Sequence, residues 1–304
     1  MKYIQKKRPA ANGAGNCIGF NHNPLIEDLQ AVLRCAGLPI RDPVMVDGKL
    51  HRFHVVGDHP KSLNGWYVFY NDGNVAGAFG CWKRGISLTW CAKTGTEMTD
   101  DERIAFRQRM EEARNAREVE ETIRRKDAAT RASGIWKSAP LATNNHPYLI
   151  RKSVGNHGLR LHKESLVVPL RSSDGVLCSL QFIDADGKKR FLSGGRMTGC
   201  YFPIGAPMGT LCICEGYATG ASLHEASGYG VAVAFSCNNL LPVALTLRAK
   251  FPRTKIILCA DNDTKTVGNP GLTHAREAAV AIGGFLAVPP CHGDFNDLHR
   301  GEKS

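Results

Sequence analysis

Five carboxylates in the last third of the chain carry the strongest chemical signal. Glu215 directly follows the apolar run 211–214, Asp261 and Asp263 close the run 255–260, and Asp294 and Asp297 follow 285–288 after a short Pro-Pro loop. If those runs are strands of one sheet, Glu-Gly, Asp-x-Asp and Asp-x-x-Asp segments stand at the same edge of it. Acidic groups gathered there repel one another unless cations lie between them, and hard oxygen ligands select Mg²⁺ or Mn²⁺. A single such residue is more simply a helix cap, because Asp and Asn are favoured at N-caps. Three strand ends of this kind favour metal chemistry over capping, and no Ser-His-Asp or Cys-His arrangement competes.

Two further groups could hold phosphate or bases. Lys188, Lys189, Arg190 and, after Ser193-Gly194-Gly195, Arg196 put positive charge beside a glycine pair that permits close approach to a phosphate. A solvated basic hairpin is the alternative. Nearer the amino terminus, aromatic residues alternate with cations, and Arg52, Trp66, Trp82, Lys83 and Arg84 could stack on and clamp single-stranded bases. Strand alternation turns about half of the aromatics of that region inward as core. His51, His54, Cys81 and Cys91 are the possible zinc ligands, but their spacing does not match paired knuckles, so zinc is not expected.

The elements that must position these groups follow from periodicity. After a basic, Gly- and Asn-rich arm, helical spacing predicts a short helix from Pro24 to Gly37. Aromatic and β-branched runs at 52–56, 65–70 and 75–80, broken by Asn71-Asp72-Gly73-Asn74, predict hairpins. Thr99 is a candidate N-cap, and the charge-rich run to 132 predicts a long solvated connecting helix. Segments 166–170 and 177–183 predict another hairpin, with 188–192 as a basic strand. From 210 onward short apolar strands alternate with helices of 9–13 residues, which predicts βαβ units and a parallel sheet.

The expected divisions are therefore 1–43, basic arm and short helix; 44–98, a small β-rich DNA-binding module; 99–139, connecting helix; 140–209, an amino-terminal subdomain with the basic segment; and 210–304, the catalytic domain. The fold class is α/β, with flanking helices on the parallel sheet.

Glu215-Gly216-Tyr217-Ala218-Thr219-Gly220, the segment Ala234-Phe235-Ser236-Cys237-Asn238-Asn239, and Asp294-Phe295-Asn296-Asp297 carry a resemblance to the Toprim fold. They look like the Toprim primases of conjugative plasmids and satellite-phage primase-helicases, marked by a Glu-Gly-Tyr-Ala-Thr segment. The resemblance covers 44–304 and is most specific over 211–297. It implies metal-binding or acid-base roles for Glu215, Asp261 and Asp263, with Asp294 and Asp297 as additional ligands. Many such enzymes carry Asp four residues after the Glu, where this chain has Thr219. It also implies a nucleotide- and template-contacting role for 188–196. Nucleotidyl transfer fits, since it needs divalent ions to bridge phosphates and activate a hydroxyl more than covalent help from protein groups.

Composition agrees with this direction. The 304 residues include 39 Lys+Arg and 28 Asp+Glu, a net charge of +11, with 43% hydrophobic residues, which excludes a small disulfide-stapled or collagenous chain. The basic start Met1–Pro9 is not followed by an apolar stretch, and no run reaches about 18 apolar residues. Eleven cysteines, an odd number, often lie singly in apolar runs, as reduced thiols do. The expectation is a soluble cytoplasmic DNA primase of a mobile element, with single-stranded DNA, nucleoside triphosphates and a replicative helicase, in cis or in trans, as partners and no membrane. The rivals are a Toprim nuclease and a catalytically idle single-stranded-DNA-binding module.

Overall fold

The computed structural model describes residues 24–301 except 59, 61, 72–74, 83, 85 and 93–98. The basic arm, the Asp72–Asn74 turn and Lys83 lie outside the described residues. The chain forms two compact units, divided between Glu121 and Thr122.

The first unit joins helix α1 (Pro24–Cys35) to an antiparallel sheet of β1 (His51–Phe53), β2 (Gly65–Tyr70), β3 (Ala76–Cys81) and β4 (Ile86–Cys91), in that order. Leu29 and Leu33, one helical turn apart, pack with Phe53, Tyr67, Phe69, Phe79 and Trp90. The helix expected over 24–37 thus shares a core with the β-rich module. On the opposite face Trp66, Val68 and Ala78 pack against Ala113 of α2 (Asp100–Ser138). Both faces of β2 are therefore covered, so its alternate aromatics do not emerge into solvent.

Helix α2 begins as its sequence directs. Thr99 Oγ1 accepts from Glu102 N at 3.3 Å, and Glu102 Oε2 accepts from Thr99 N at 2.9 Å, a reciprocal capping box. It runs to Ser138 and is more than a solvated spacer. Its later turns belong to the second unit, where Ala132, Ile135 and Trp136 pack with Val167, Leu180 and Phe182. Those partners lie on the antiparallel sheet of β5 (Arg160–His162), β6 (Ser165–Arg171), β7 (Leu177–Ile183) and β8 (Lys189–Phe191). Small alanines hid this apolar stripe among the charges. The short helix α3 (Pro147–Lys152) precedes that sheet.

The remaining sheet has the order β13-β12-β10-β11-β9. Its members are β9 (Phe202–Ile204), β10 (Thr210–Cys214), β11 (Gly230–Val233), β12 (Lys255–Cys259) and β13 (Phe285–Ala287). All neighbours are parallel except β9, which pairs antiparallel with β11 at the edge. Helices α4 (Tyr217–Ser227), α5 (Cys237–Lys250), α6 (Pro270–Ile282) and α7 (Phe295–His299) complete the layers. The apolar set of one face includes Cys212, Cys214, Tyr217, Ala221 and Val233; the other includes Ile213, Leu240, Leu247, Leu258 and Ala275. The expected α/β class and parallel sheet are present. No helix among the described residues is long and apolar enough to cross a membrane.

Candidate active site at the strand switch point

After β10 the chain passes through α4 to β11 on one side, while β12 lies on the other. Strand order reverses between β10 and β12, and the crevice beyond their carboxyl ends is where such sheets bind ligands. Glu215 follows β10 at once, and Asp261 follows β12 after Ala260. The β10–β11 ladder extends past the strands, with Ala234 N donating to Cys214 O and Phe235 N to Glu215 O, both at 2.8 Å. This fixes the Glu215 backbone, while its carboxylate accepts the Cys237 N–H in the first turn of α5.

Electrostatics bind the carboxylates into one site. Burial pushes Asp261 up to about 8, and Glu215, Asp294 and Asp263 add to the rise. Glu215 is raised by burial and then by Asp263. Asp261 Oδ1 is enclosed and has no hydrogen-bond partner. Gly271, in the first turn of α6, leaves room for both groups: a Cβ there would stand 2.8 Å from Asp261 O and 3.2 Å from Glu215 Oε1. Lys189 reaches the same place from β8. Its Nζ is 3.6 Å from where a Gly216 Cβ would be, and its charge opposes the rise at both Glu215 and Asp261.

The middle residue of the Asp-x-Asp segment braces the others. Asn262 exchanges backbone hydrogen bonds with Gly293, and its Nδ2 donates to Pro289 O and Cys291 O at 3.2 and 3.1 Å. Asn269 Nδ2 donates to Asn262 Oδ1, and Asn269 Oδ1 accepts from Asp263 N, each at 3.0 Å. These two Asn residues pin the loop that carries Asp263; sequence reading missed both, since Asn in a polar loop gives no periodic signal.

Asp294 and Asp297 stand at the start of α7. Asp294 Oδ1 accepts from Asn296 N and Asp297 N at 2.7 and 3.0 Å, and its Oδ2 accepts from Thr219 Oγ1 at 3.0 Å. Asp297 Oδ2 accepts from Asp294 N at 3.2 Å, and its Oδ1 lies 3.5 Å from Lys152 Nζ. The Asp-x-x-Asp segment forms a capping box for α7, with one further oxygen of each residue turned to Thr219 and to Lys152. Asp294 still contributes its charge to Asp261.

The basic segment divides by strand alternation. Lys189 faces the carboxylates, whereas the Arg190 guanidinium lies 4.6 Å over the Phe182 ring and Lys188 N bonds Asp184 Oδ1. The glycine loop is held by α2: Arg131 Nη2 donates to Ser193 O at 2.8 Å, and a Cβ at Gly194 (φ 84°) would meet Arg124 Cγ at 3.0 Å. Arg196 is half-buried, and its Nη2 donates to Cys178 Sγ at 3.3 Å. The Cys178 thiol is drawn down by the Cys200 thiol and by Arg196. Arg196 is thus held on sulfur, unlike an open phosphate contact. Tyr217, buried, donates to Gly155 O at 2.7 Å and so belongs to the packing. A cavity of about 810 Å³ lined by Arg171, Tyr201, Leu211, Val231 and Lys250 lies at the amino ends of the strands and contains none of the carboxylates.

In the first unit, Trp66 is 1% exposed, with the Arg117 guanidinium 4.1 Å over its ring. It is a core residue, a correction to its expected role on a base. Trp82 is partly exposed under Arg52, 4.7 Å from its ring. Arg84 is exposed and donates to Gly37 O and Val56 O, both at 3.1 Å. The zinc candidates do not converge: His51 bonds Asp47, His54 bonds Ser62 O, and Cys81 and Cys91 stand at opposite ends of the β3–β4 ladder.

Among the described residues no three His, Cys, Asp or Glu side chains close into a metal cage. Mg²⁺ seldom uses one, since it keeps several waters and takes one or two carboxylates plus substrate phosphates. The oxygen donor set and the enclosed, unpartnered Asp261 Oδ1 fit such an ion.

Residues 210–304, the parallel sheet with acidic groups at its switch point, match the family model described as Toprim domain. Over most of its length the chain is similar to two Escherichia coli proteins named DNA primase TraC. One is 32% identical over 280 residues, 86% of this chain and 19% of the relative; the other is 35% identical over 267 residues, 84% and 25%. The chain thus spans a quarter or less of those relatives. The primase fragment of the bacteriophage T7 primase-helicase protein superposes with a TM-score of 0.40 at 18% identity, covering 54% of this chain and 75% of that one.

Proposed function

We propose that the chain is a DNA primase catalytic region, joining ribonucleotides into short primers on single-stranded DNA. The observation that carries this reading is the placement of Glu215 and Asp261 at the carboxyl ends of the two strands flanking the switch point, with Lys189 beside them. The names of the two similar relatives, each DNA primase TraC, support primer synthesis over the nuclease alternative.

Glu215, Asp261 and Asp263 would hold Mg²⁺ or Mn²⁺, which supplies phosphate bridging and a lowered pKa for the attacking hydroxyl. The chain's own residues do the rest. Gly271 keeps the crevice open, Asn262 and Asn269 fix the Asp263 loop, and Lys189 offers a cation to triphosphate oxygens. Lys188, Arg190 and the loop of Arg196 extend the positive surface for the template, and Arg52, Trp82, Lys83 and Arg84 of the first unit contact single-stranded DNA. The helicase partner, in cis or in trans, and a cytoplasmic location belong to the same proposal.

Incubation with labelled nucleoside triphosphates, single-stranded DNA and Mg²⁺ or Mn²⁺ tests it. Short products, absent with Asp261→Ala, support a primase. Metal-dependent template degradation would establish the nuclease, and binding with neither activity would leave a recruitment module.

A further inference from the structure

We propose that Asn239 is a positioning residue that locks the basic loop of Arg196 to the Glu215 end of the site. The proposal rests on the roles given above to Glu215 and the basic loop. It gives a task to the Phe235–Asn239 segment, which the sequence singled out and the site description left without one.

Asn239 is 2% exposed and its side chain is fully used. Nδ2 donates to Cys200 O at 3.0 Å and to Ala234 O at 2.8 Å, and Oδ1 accepts from Gly199 N at 2.8 Å. Two of these partners end the loop that begins at Ser193; the third is the last β11-side group before the site. Asn239 stands in the first turn of α5, two residues after Cys237, whose N–H meets the Glu215 carboxylate.

Apart from the Glu215 carboxylate on the Cys237 N–H, that helix start shows no side-chain cap. Its N-cap Ser236 makes no capping bond, Ser236 Oγ is enclosed without a partner, and Phe235 is held at φ 72°. One amide therefore ties the Gly199-Cys200 loop and Ala234 to the start of α5, and no other uncharged side chain of its size offers two donors and an acceptor in that geometry. Loss of it lets both the loop and the Cys237 N–H drift, and displacements of about 1 Å in positioning groups cost activity steeply.

The test is Asn239→Asp, which keeps size and the acceptor but removes both donors. With the variant folded, as far-UV dichroism reports, the Mg²⁺ midpoint and the nucleotide KM of primer synthesis should each rise about tenfold. Amide exchange at Gly199 and Cys200 should quicken as well. Leu247→Ala, in the same helix's core, controls for stability: it should lower Tm and leave those kinetics unchanged. Wild-type kinetics in Asn239→Asp with only a lowered Tm would overturn the proposal. If the wild type makes no primers, the functional reading fails separately, and Mn²⁺ affinity decides: weakened binding in Asn239→Asp supports the positioning role, and equal binding refutes it.

Discussion

Thr219 Oγ1 donates to Asp294 Oδ2 at 3.0 Å, joining the first turn of α4 to the cap of α7. Thr219 is 1% exposed. Thr219, four residues after Glu215, thus serves here as a donor to a carboxylate that also caps a helix.

Thr219→Val keeps the shape and removes that donor. Leaving a partly buried acceptor unsatisfied costs about 1–3 kcal/mol. Urea unfolding should show a loss of that order with an unchanged m-value, and no loss would mean the bond is incidental.

Metal and pH should be linked through Asp261. Without metal it keeps its proton up to about pH 8, against 3.8 for the ordinary group. Between those values the folded state binds more protons than the unfolded one, so this contribution to stability is full below 3.8 and declines as pH rises through about 8. A cation replaces the proton, so Mg²⁺ should raise Tm more at about pH 9 than at about pH 5. Asp261→Asn should flatten both effects; an equal Mg²⁺ shift at both pH values would contradict the linkage.

The later turns of α2 should behave as core. Ala132→Leu adds volume where exposure is nil and should cost about 1–3 kcal/mol. Ile123→Lys, on a side chain 64% exposed, should stay within about 0.5 kcal/mol. Thermal unfolding of both variants distinguishes a packed helix from a spacer.

Trp66 and Trp82 of the first unit should part company. Trp66→Ala should cost about 3–5 kcal/mol, as large buried side chains do, whereas Trp82→Ala should mainly weaken single-stranded DNA binding. Equal effects on both properties would remove the distinction.

The parallel sheet and the Glu215–Asp261 pair were legible because apolar strands alternate with helices and two of them, β10 and β12, run into acidic residues. Edge strand β9 was not, since Phe202–Ile204 is too short for a pattern and contains Pro203. The capping role of Asp294 was weighed for single residues and set aside for the set, because spacing along the chain does not reveal that Thr219 lies across from it. Trp66 was misplaced because covering on both faces cancels the alternation rule. Asn239 could be quoted as part of a motif, but its partners at Gly199 and Cys200 lie about 40 residues away and only the folded chain unites them with it.

The most direct measurement compares primer synthesis by Asp261→Asn and Asp294→Asn, each at a temperature where it is folded. If the switch-point carboxylates form the site and the second pair caps a helix, Asp261→Asn should lose activity by about 100-fold or more, while Asp294→Asn keeps most of it at reduced stability. Full activity in Asp261→Asn, or equal loss in both, would contradict this assignment.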